Sequence, residues 1–454
     1  MTQTTRDVVQ GLDTEPETET EADKTDRLRK SITVRGLSGL KNLGNTCYMN
    51  SALQCLFATN ILSVYFCEKK FLETLKNGVM NRLAKEERKR QKVPENTDVE
   101  IDKSDLIKDI KGTVTYAYYH TVKTWLSDNF VVIPDTLKFA VGKANSLFRG
   151  YSQNDSQELL NCVLDNIHED LKTAVQVNYV GVDKSVLEFR DLVKKYQRLM
   201  KLASSDDEKA ELLKDYRKCL DDHPAEHAIN SSLEYWEKYI QPSHSIIRDI
   251  FTGMTYTETR CNECKITSLA FEPFIMLSLA IPRSNATVRL SDCLKENSSK
   301  CMLIGRDKYQ CANCKDYKEA TQVTYIWEVP EILIIHLKRF SSEMDGNRCR
   351  MDKNSTRIDF PLDDLDLQDY ISPHNRSPRD QTTYELYGVV QQFGSLGGGH
   401  YTACCRNSIN NKWYEFDDSH VTHIEDGKVE SEVVTSSAYI LFYRRKYNRL
   451  NLAE

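Results

Sequence analysis

The chain has 454 residues, long enough for a large core, and carries 61 Lys and Arg against 67 Asp and Glu, a net charge of -6 at pH 7. That balance gives no global electrostatic case for nucleic acid or an anionic membrane surface, and no apolar run approaches the roughly 18 residues of a membrane span. With no secretory leader, the fourteen cysteines are expected as reduced thiols of a cytoplasmic or nuclear protein rather than as a disulfide framework.

Residues 1–33 contain the run Asp13-Thr-Glu-Pro-Glu-Thr-Glu-Thr-Glu-Ala-Asp23 and almost nothing to bury, and read as a disordered acidic tail. The stretch Gly39 to Phe57, GLKNLGNTCYMNSALQCLF, opens polar and at Cys47 becomes a segment whose Ala52, Leu53, Leu56 and Phe57 share one helical face. Cys47 therefore stands where a loop turns into a helix, and the unpaired N–H groups and macrodipole there favour a thiolate. Gly44 lets the backbone adopt a positive φ, and Asn42 offers an amide to a developing oxyanion. A lone cysteine cannot act without a base, so on this stretch alone a small buried hydrophobe is an equal reading.

Leu83 to Lys92 is densely charged, but acidic residues interrupt it, which favours a solvated helix face over a nuclear-localisation signal. Helical patterns from Leu106 to Phe139 carry Tyr116, Tyr118, Tyr119 and Trp125, an aromatic stripe expected in the core. Beyond Gln153-Asn-Asp-Ser-Gln-Glu158 the apolar residues Leu159, Leu160, Val163, Leu164, Ile167 and Leu171 keep a helical period, with Ser152 and Asn154 as plausible caps. Asp155 and Glu158, one turn apart at its start, complement the macrodipole. Residues 181–240 read as two or three charged amphipathic helices, an insertion expected to pack on its own domain, with a protein partner as the alternative use.

Cys261-Asn-Glu-Cys264 and Cys311-Ala-Asn-Cys314 are two C-x-x-C pairs flanked by strand-forming residues. Each turn points two sulfurs at one centre, and together they make a four-thiolate shell suited to structural zinc, held by a sheet between them. Cys293 and Cys301 lack that spacing. Six strands follow, over 322–329, 332–340, 384–393, 401–406, 413–417 and 438–444, with a hairpin turn at Ser408 to Asn411 and His336 as a core histidine. The run Gly397-Gly-Gly-His400-Tyr401 precedes a strand, not a helix, so a close-approach loop fits it better than a phosphate cradle. His400 opens one strand and Asp417 closes the next, which lets the carboxylate orient the imidazole toward Cys47.

At these residues the chain resembles a known family. Gly39-Leu-Lys-Asn-Leu-Gly-Asn-Thr-Cys-Tyr-Met-Asn-Ser51 is similar to the cysteine box of the ubiquitin-specific proteases. Gly398-Gly-His-Tyr-Thr-Ala403 with Trp413-Tyr-Glu-Phe-Asp-Asp418 resembles their histidine box, Gln153 to Glu158 their intermediate segment, and the C-x-x-C pairs their zinc knuckles, in the family's order from about Leu37 to Arg445. The resemblance implies an α+β, papain-like cysteine protease fold at 34–446: a thumb at 34–180, the helical insertion at 181–240, zinc-tipped fingers at 245–330 and a palm at 331–446, with a C-terminal tail at 447–454. It implies hydrolysis of the bond after ubiquitin's C-terminal glycine. Cys47 would be nucleophile, His400 base and acid, Asp417 its orienter and Asn42 part of the oxyanion hole. Asp155, Glu158, Gln153, Gly398, Gly399 and Tyr401 would contact the ubiquitin tail, Gly397 to Gly399 belonging to a blocking loop. In some relatives a second carboxylate, here Asp418, shares the orienting role.

Overall fold

The computed structural model describes residues 35–127, 130–282, 287–345, 348–376, 382–395 and 398–446. The expected acidic tail at 1–33, the tail at 447–454 and Gly397 lie outside them. A helical lobe is packed against a mixed sheet whose strands lie in the order His420–His423, Trp413–Asp417, His400–Arg406, Thr383–Phe393, Ala438–Arg445, Ile332–Lys338 and Met276–Ala280, with Leu365–Asp366 paired to Thr383–Phe393. All contacts along this path are antiparallel except the last, where Met276–Ala280 runs parallel to Ile332–Lys338. The strand expected over 332–340 ends at Lys338 because buried Arg339 turns the chain, donating to the carbonyls of Ala438 (2.6 Å), Asn354 (3.0 Å) and Thr356 (2.9 Å).

The organising element is the helix Cys47–Phe57, in which every residue is buried. A helix hidden on all sides must satisfy its polar residues internally. Gln54 Nε2 donates to the Ser38 carbonyl at 2.9 Å, and its Oε1 accepts from Trp125 Nε1 at 3.0 Å. On one side lies Ser156–Leu171, with Leu159, Leu160, Val163, Leu164, Ile167 and Leu171 all buried as their period requires. On the other lies the strand His400–Arg406, whose Tyr401, Ala403 and Cys405 join the same core. The aromatic stripe also lies in this core, Tyr118 and Trp125 against Phe57.

A second, distal sheet has the order Thr267–Phe274, Gly253–Cys261, Ala320–Glu328, Cys301–Leu303. The insertion forms three helices, Lys184–Leu202, Asp206–Asp222 and Pro224–Ile240. It packs on its own domain: Ala228, Ile229, Tyr235 and Trp236 cover Met254, Tyr256, Phe271 and Trp327 of the distal sheet. Arg376 ties the insertion down, donating to Asp183 Oδ2 at 3.1 Å and Glu226 Oε1 at 2.7 Å.

Lobe and sheet meet at a seam. Leu40 N–H donates to the Asp418 carbonyl at 2.7 Å, and Val132 N–H to the Gly39 carbonyl at 2.9 Å. The approach is so close that a Cβ on Gly39 would stand 2.4 Å from the Ser419 carbonyl oxygen, rigid backbone that cannot yield. Gly39→Ala is therefore expected to lower stability by about 1 to 3 kcal/mol, read as a fall in the urea midpoint; an unchanged midpoint would show that the seam can open.

Candidate active site

Cys47 is the first residue of its helix, and the loop before it is shaped by one side chain. Asn42 Oδ1 accepts from the backbone N–H of Gly44 (2.9 Å) and Thr46 (3.1 Å), while Gly44 (φ 104°) and Asn45 (φ 52°) adopt left-handed conformations. The sequence predicts a lowered thiol pKa at this helix start. The structure reverses that: burial of Cys47 pushes its thiol up. The N–H groups of Tyr401, Tyr48 and Cys47 itself pull it down, and the nearby Asp418 charge adds to the rise. Desolvation outweighs the helix terminus, because Cys47 as a residue is only 4% exposed and its anion has lost much of the water that would stabilise it.

Across the cleft, the His400 Nε2 lies 2.7 Å from Asp417 Oδ1. With the carboxylate accepting, Nε2 carries the proton and Nδ1 keeps its lone pair. The residue after His400, Tyr401, directs its backbone N–H at the Cys47 thiol, so imidazole and sulfur are brought to one cleft from positions far apart in the chain. Asp418, considered as a second orienter, has other partners. From a left-handed turn (φ 50°) its Oδ2 accepts from Asn42 Nδ2 at 2.8 Å and its Oδ1 from Asn50 Nδ2 at 2.7 Å.

The remaining expected residues converge on the same cleft, with two corrections. Gln153 Nε2 donates to the Gly399 carbonyl and lies 3.9 Å from Cys47 Sγ. Gly399 has no room for a side chain, a Cβ there falling 2.1 Å from the Phe393 carbonyl, whereas Gly398 is exposed. Asp155, not Ser152 or Asn154, is the N-cap of Ser156–Leu171. Its Oδ1 accepts from Gln157 N–H at 2.7 Å and its Oδ2 from the Tyr439 hydroxyl at 2.6 Å, while the Asn154 amide turns back to the Ser152 carbonyl. Burial raises the Asp155 pKa, opposed by those hydrogen bonds. Glu158 is exposed one turn on. Tyr401, expected to contact substrate, has a fully buried side chain because its strand faces the helix there; only its backbone reaches the cleft.

Three residues of the site escape sequence reasoning: Tyr439, Asn50 and the amide-binding role of Asp418. The signal for Asn50 was a polar residue inside a helix with no solvent face; Tyr439, in an apolar strand, gave none. His336 is half-buried, its Nδ1 3.1 Å from Ser278 Oγ, its ring edge-on to Tyr439, and its pKa driven to about 4 by burial.

The sulfurs of Cys261, Cys264, Cys311 and Cys314 lie within 4.8 Å of one another, with Cys264 and Cys311 at 3.6 Å. A tetrahedral zinc with bonds of about 2.3 Å separates its sulfurs by about 3.8 Å, so this donor set fits zinc. The two knuckles repeat one turn: the residue after each pair, Lys265 (φ 62°) or Lys315 (φ 53°), is left-handed and donates its N–H to the first cysteine's carbonyl.

Residues 38–443 match the ubiquitin carboxyl-terminal hydrolase family. Human ubiquitin carboxyl-terminal hydrolase 2 is 32% identical over 415 residues, covering 91% of this chain and 56% of the relative. Ubiquitin carboxyl-terminal hydrolase 4 of Saccharomyces cerevisiae is 29% identical over 434 residues, 90% of this chain and 39% of the relative. The chain thus spans about half the length, or less, of these relatives. Among solved structures, the SAGA Ubp8/Sgf11/Sus1/Sgf73 DUB module bound to ubiquitin aldehyde shares the fold, with a TM-score of 0.57, 21% identity, and coverage of 94% of this chain and 74% of that one. With its cysteine, histidine and paired-cysteine segments set in that fold, this chain belongs to the ubiquitin carboxyl-terminal hydrolase family.

Proposed function

We propose that the chain is a thiol-dependent deubiquitinase that hydrolyses the isopeptide or peptide bond after the C-terminal glycine of ubiquitin. The observation that carries this reading is the hydrogen-bonded His400–Asp417 pair on two adjacent strands, with the N–H of Tyr401, next to His400, lying on the Cys47 thiol. Because the thiol pKa is raised, the resting nucleophile is neutral and attack needs a base. His400 Nδ1 takes the thiol proton as Cys47 Sγ adds to the carbonyl carbon. The oxyanion receives the Cys47 N–H and the second hydrogen of the Asn42 amide, whose first is held by Asp418. His400 then protonates the departing lysine amine, and water, deprotonated by the same ring, releases ubiquitin from the thioester. Asp417 stabilises the imidazolium and keeps the tautomer.

On this reading the tail of ubiquitin lies between the helical lobe and the sheet. Asp155 and Glu158 meet its arginines, and Gln153 with the Gly398–Gly399 backbone lines its terminal glycines. The thumb, insertion, fingers and palm take the divisions 34–180, 181–240, 245–330 and 331–446. Cys261, Cys264, Cys311 and Cys314 would hold a structural zinc; four thiolates leave no coordination site for water or substrate, so the metal supplies rigidity and no chemistry. Among the described residues no helix is long and apolar enough to cross a membrane, and a cytoplasmic or nuclear site of action is consistent with reduced cysteines.

Cys47→Ser is expected to lower turnover of a fluorogenic ubiquitin amide by roughly four orders of magnitude or more while ubiquitin still binds; turnover near wild type would point to another nucleophile. In the free protein, alkylation of Cys47 by iodoacetamide, followed by mass spectrometry, should still be rising at pH 9. Thiolate is the reactive form and burial holds the pKa above the ordinary value of 9.0; a plateau near neutrality would restore the helix-terminus reading. Cys264→Ser should strip zinc from the purified protein and make the distal sheet susceptible to proteolysis, and full metal content would remove the four-thiolate site.

A further inference from the structure

The reaction has two protein sides, and the site above accounts for one. Beside the oxyanion loop the helical lobe carries a groove of about 560 Å³, lined by Leu43, Phe139 and Tyr151 among others. It is continuous with the catalytic loop. Leu43 follows Asn42, the Tyr151 ring packs where a Cβ on Gly44 would stand 3.0 Å away, and the Tyr151 carbonyl accepts from Asn45 Nδ2 at 2.9 Å. None of its lining residues belongs to the sheet or to the Asp155, Glu158 and Tyr439 group, so it lies outside the path assigned to the ubiquitin tail.

Its surface chemistry is unusual for bare solvent. Phe139 and Tyr151 are each 74% exposed, and Ile133 and Leu147, on the segments flanking them, are 53% and 51% exposed. Large apolar side chains left uncovered together mark an interaction surface. Three cations line the groove, Lys138, Lys143 and Arg149, against the single carboxylate of Asp135. Lys138 is pinned in place, donating to the Phe148 carbonyl at 2.6 Å and to the Tyr48 hydroxyl at 3.2 Å. Lys143 and Arg149 are exposed and form no ion pair among the described residues.

We propose that this groove receives the leaving-group side of the substrate: the segment of the modified protein around the scissile lysine, presenting apolar side chains with acidic neighbours. The inference rests on the deubiquitinase reading. With the tail filling the cleft between lobe and sheet, the groove adjoining the oxyanion loop is left to the departing polypeptide. There exposed apolar side chains and exposed cations are presented to it. The groove binds the leaving polypeptide and has no part in the bond-making steps.

The test compares three substrates: ubiquitin amide-linked to a small fluorophore, ubiquitin isopeptide-linked to a peptide lysine flanked by Phe, Leu, Asp and Glu, and the same peptide with Lys in place of its acids. Wild type should cleave the acidic peptide conjugate more efficiently than the basic one, chiefly through KM. Phe139→Ala and the pair Lys143→Glu with Arg149→Glu should each lower kcat/KM on the acidic conjugate by roughly three- to tenfold and leave the fluorophore substrate unchanged. The charge-reversed pair should also improve cleavage of the basic conjugate. Equal losses on all three substrates, or no discrimination by wild type, would overturn the assignment. So would the disappearance of the variants' effects when residues 1–33 are removed, which would give the groove to the chain's own acidic run. Failure of wild type on the fluorophore substrate would instead count against the hydrolase reading itself.

Discussion

Lobe and sheet are held in register by the hydrogen bonds that converge on Asp418. Its main-chain carbonyl accepts the Leu40 N–H, one carboxylate oxygen takes the Asn42 amide and the other the Asn50 amide. Hydrogen bonds to a charged acceptor contribute about 1.5 to 3 kcal/mol each, with the exposed Asn42 bond at the low end. The left-handed turn at Asp418 sends consecutive carboxylates to different partners: Asp417 to the imidazole, Asp418 to the amides of the loop and helix that carry Cys47. One turn thus ties the strand carrying the partner of the imidazole to the loop and helix that carry Cys47. Gly39 is required beside it because no side chain fits between the two strands of chain that meet there.

Cys47 and His400 sit in opposite environments. Cys47 belongs to a helix without a solvent face, and its position is dictated by core packing, which resists displacement. The cost is a thiol whose anion is poorly solvated. The His400 side chain is 45% exposed, at the first position of its strand. Burial fixes where the sulfur is, and exposure keeps the imidazole in contact with water.

Outward from the cleft, rigidity falls to smaller devices. The distal sheet buries its aromatic face, Tyr256, Phe271 and Trp327, under the last helix of the insertion. Its other face is polar, with Thr257 and Thr324 hydroxyls 3.0 Å apart and Gln322 donating to Thr259. A sheet supported on one side by a helix and at its tip by four cysteines can offer that polar face without a second hydrophobic layer beneath it. The insertion therefore acts as a brace for the distal sheet, and its Arg376 ion pairs hold the brace to the chain that follows Ile371.

Much of this was legible from local pattern. The helix at Cys47, the periodic helix at 156–171, a helical insertion at 181–240, the paired cysteines and the strands bearing His400 and Asp417 all follow from residue periodicity and turn chemistry, which act over a few neighbours. What sequence pattern could not supply were quantities that depend on neighbours from elsewhere in the chain. Asp155 and not Ser152 or Asn154 caps its helix because Tyr439, from the last strand, holds its second oxygen. Tyr401 points into the core because of the helix behind its strand, and Asp418 binds amides because the seam brings Asn42 and Asn50 to it. The thiol of Cys47 is raised because its helix is buried between the helix at 156–171 and the strand at 400–406, with the Asp418 charge adding to the rise. Sequence alone determined which groups are present and how each local element folds; their ionisation and partners were decided by the fold, since desolvation and hydrogen bonding are set by atoms far away in the chain.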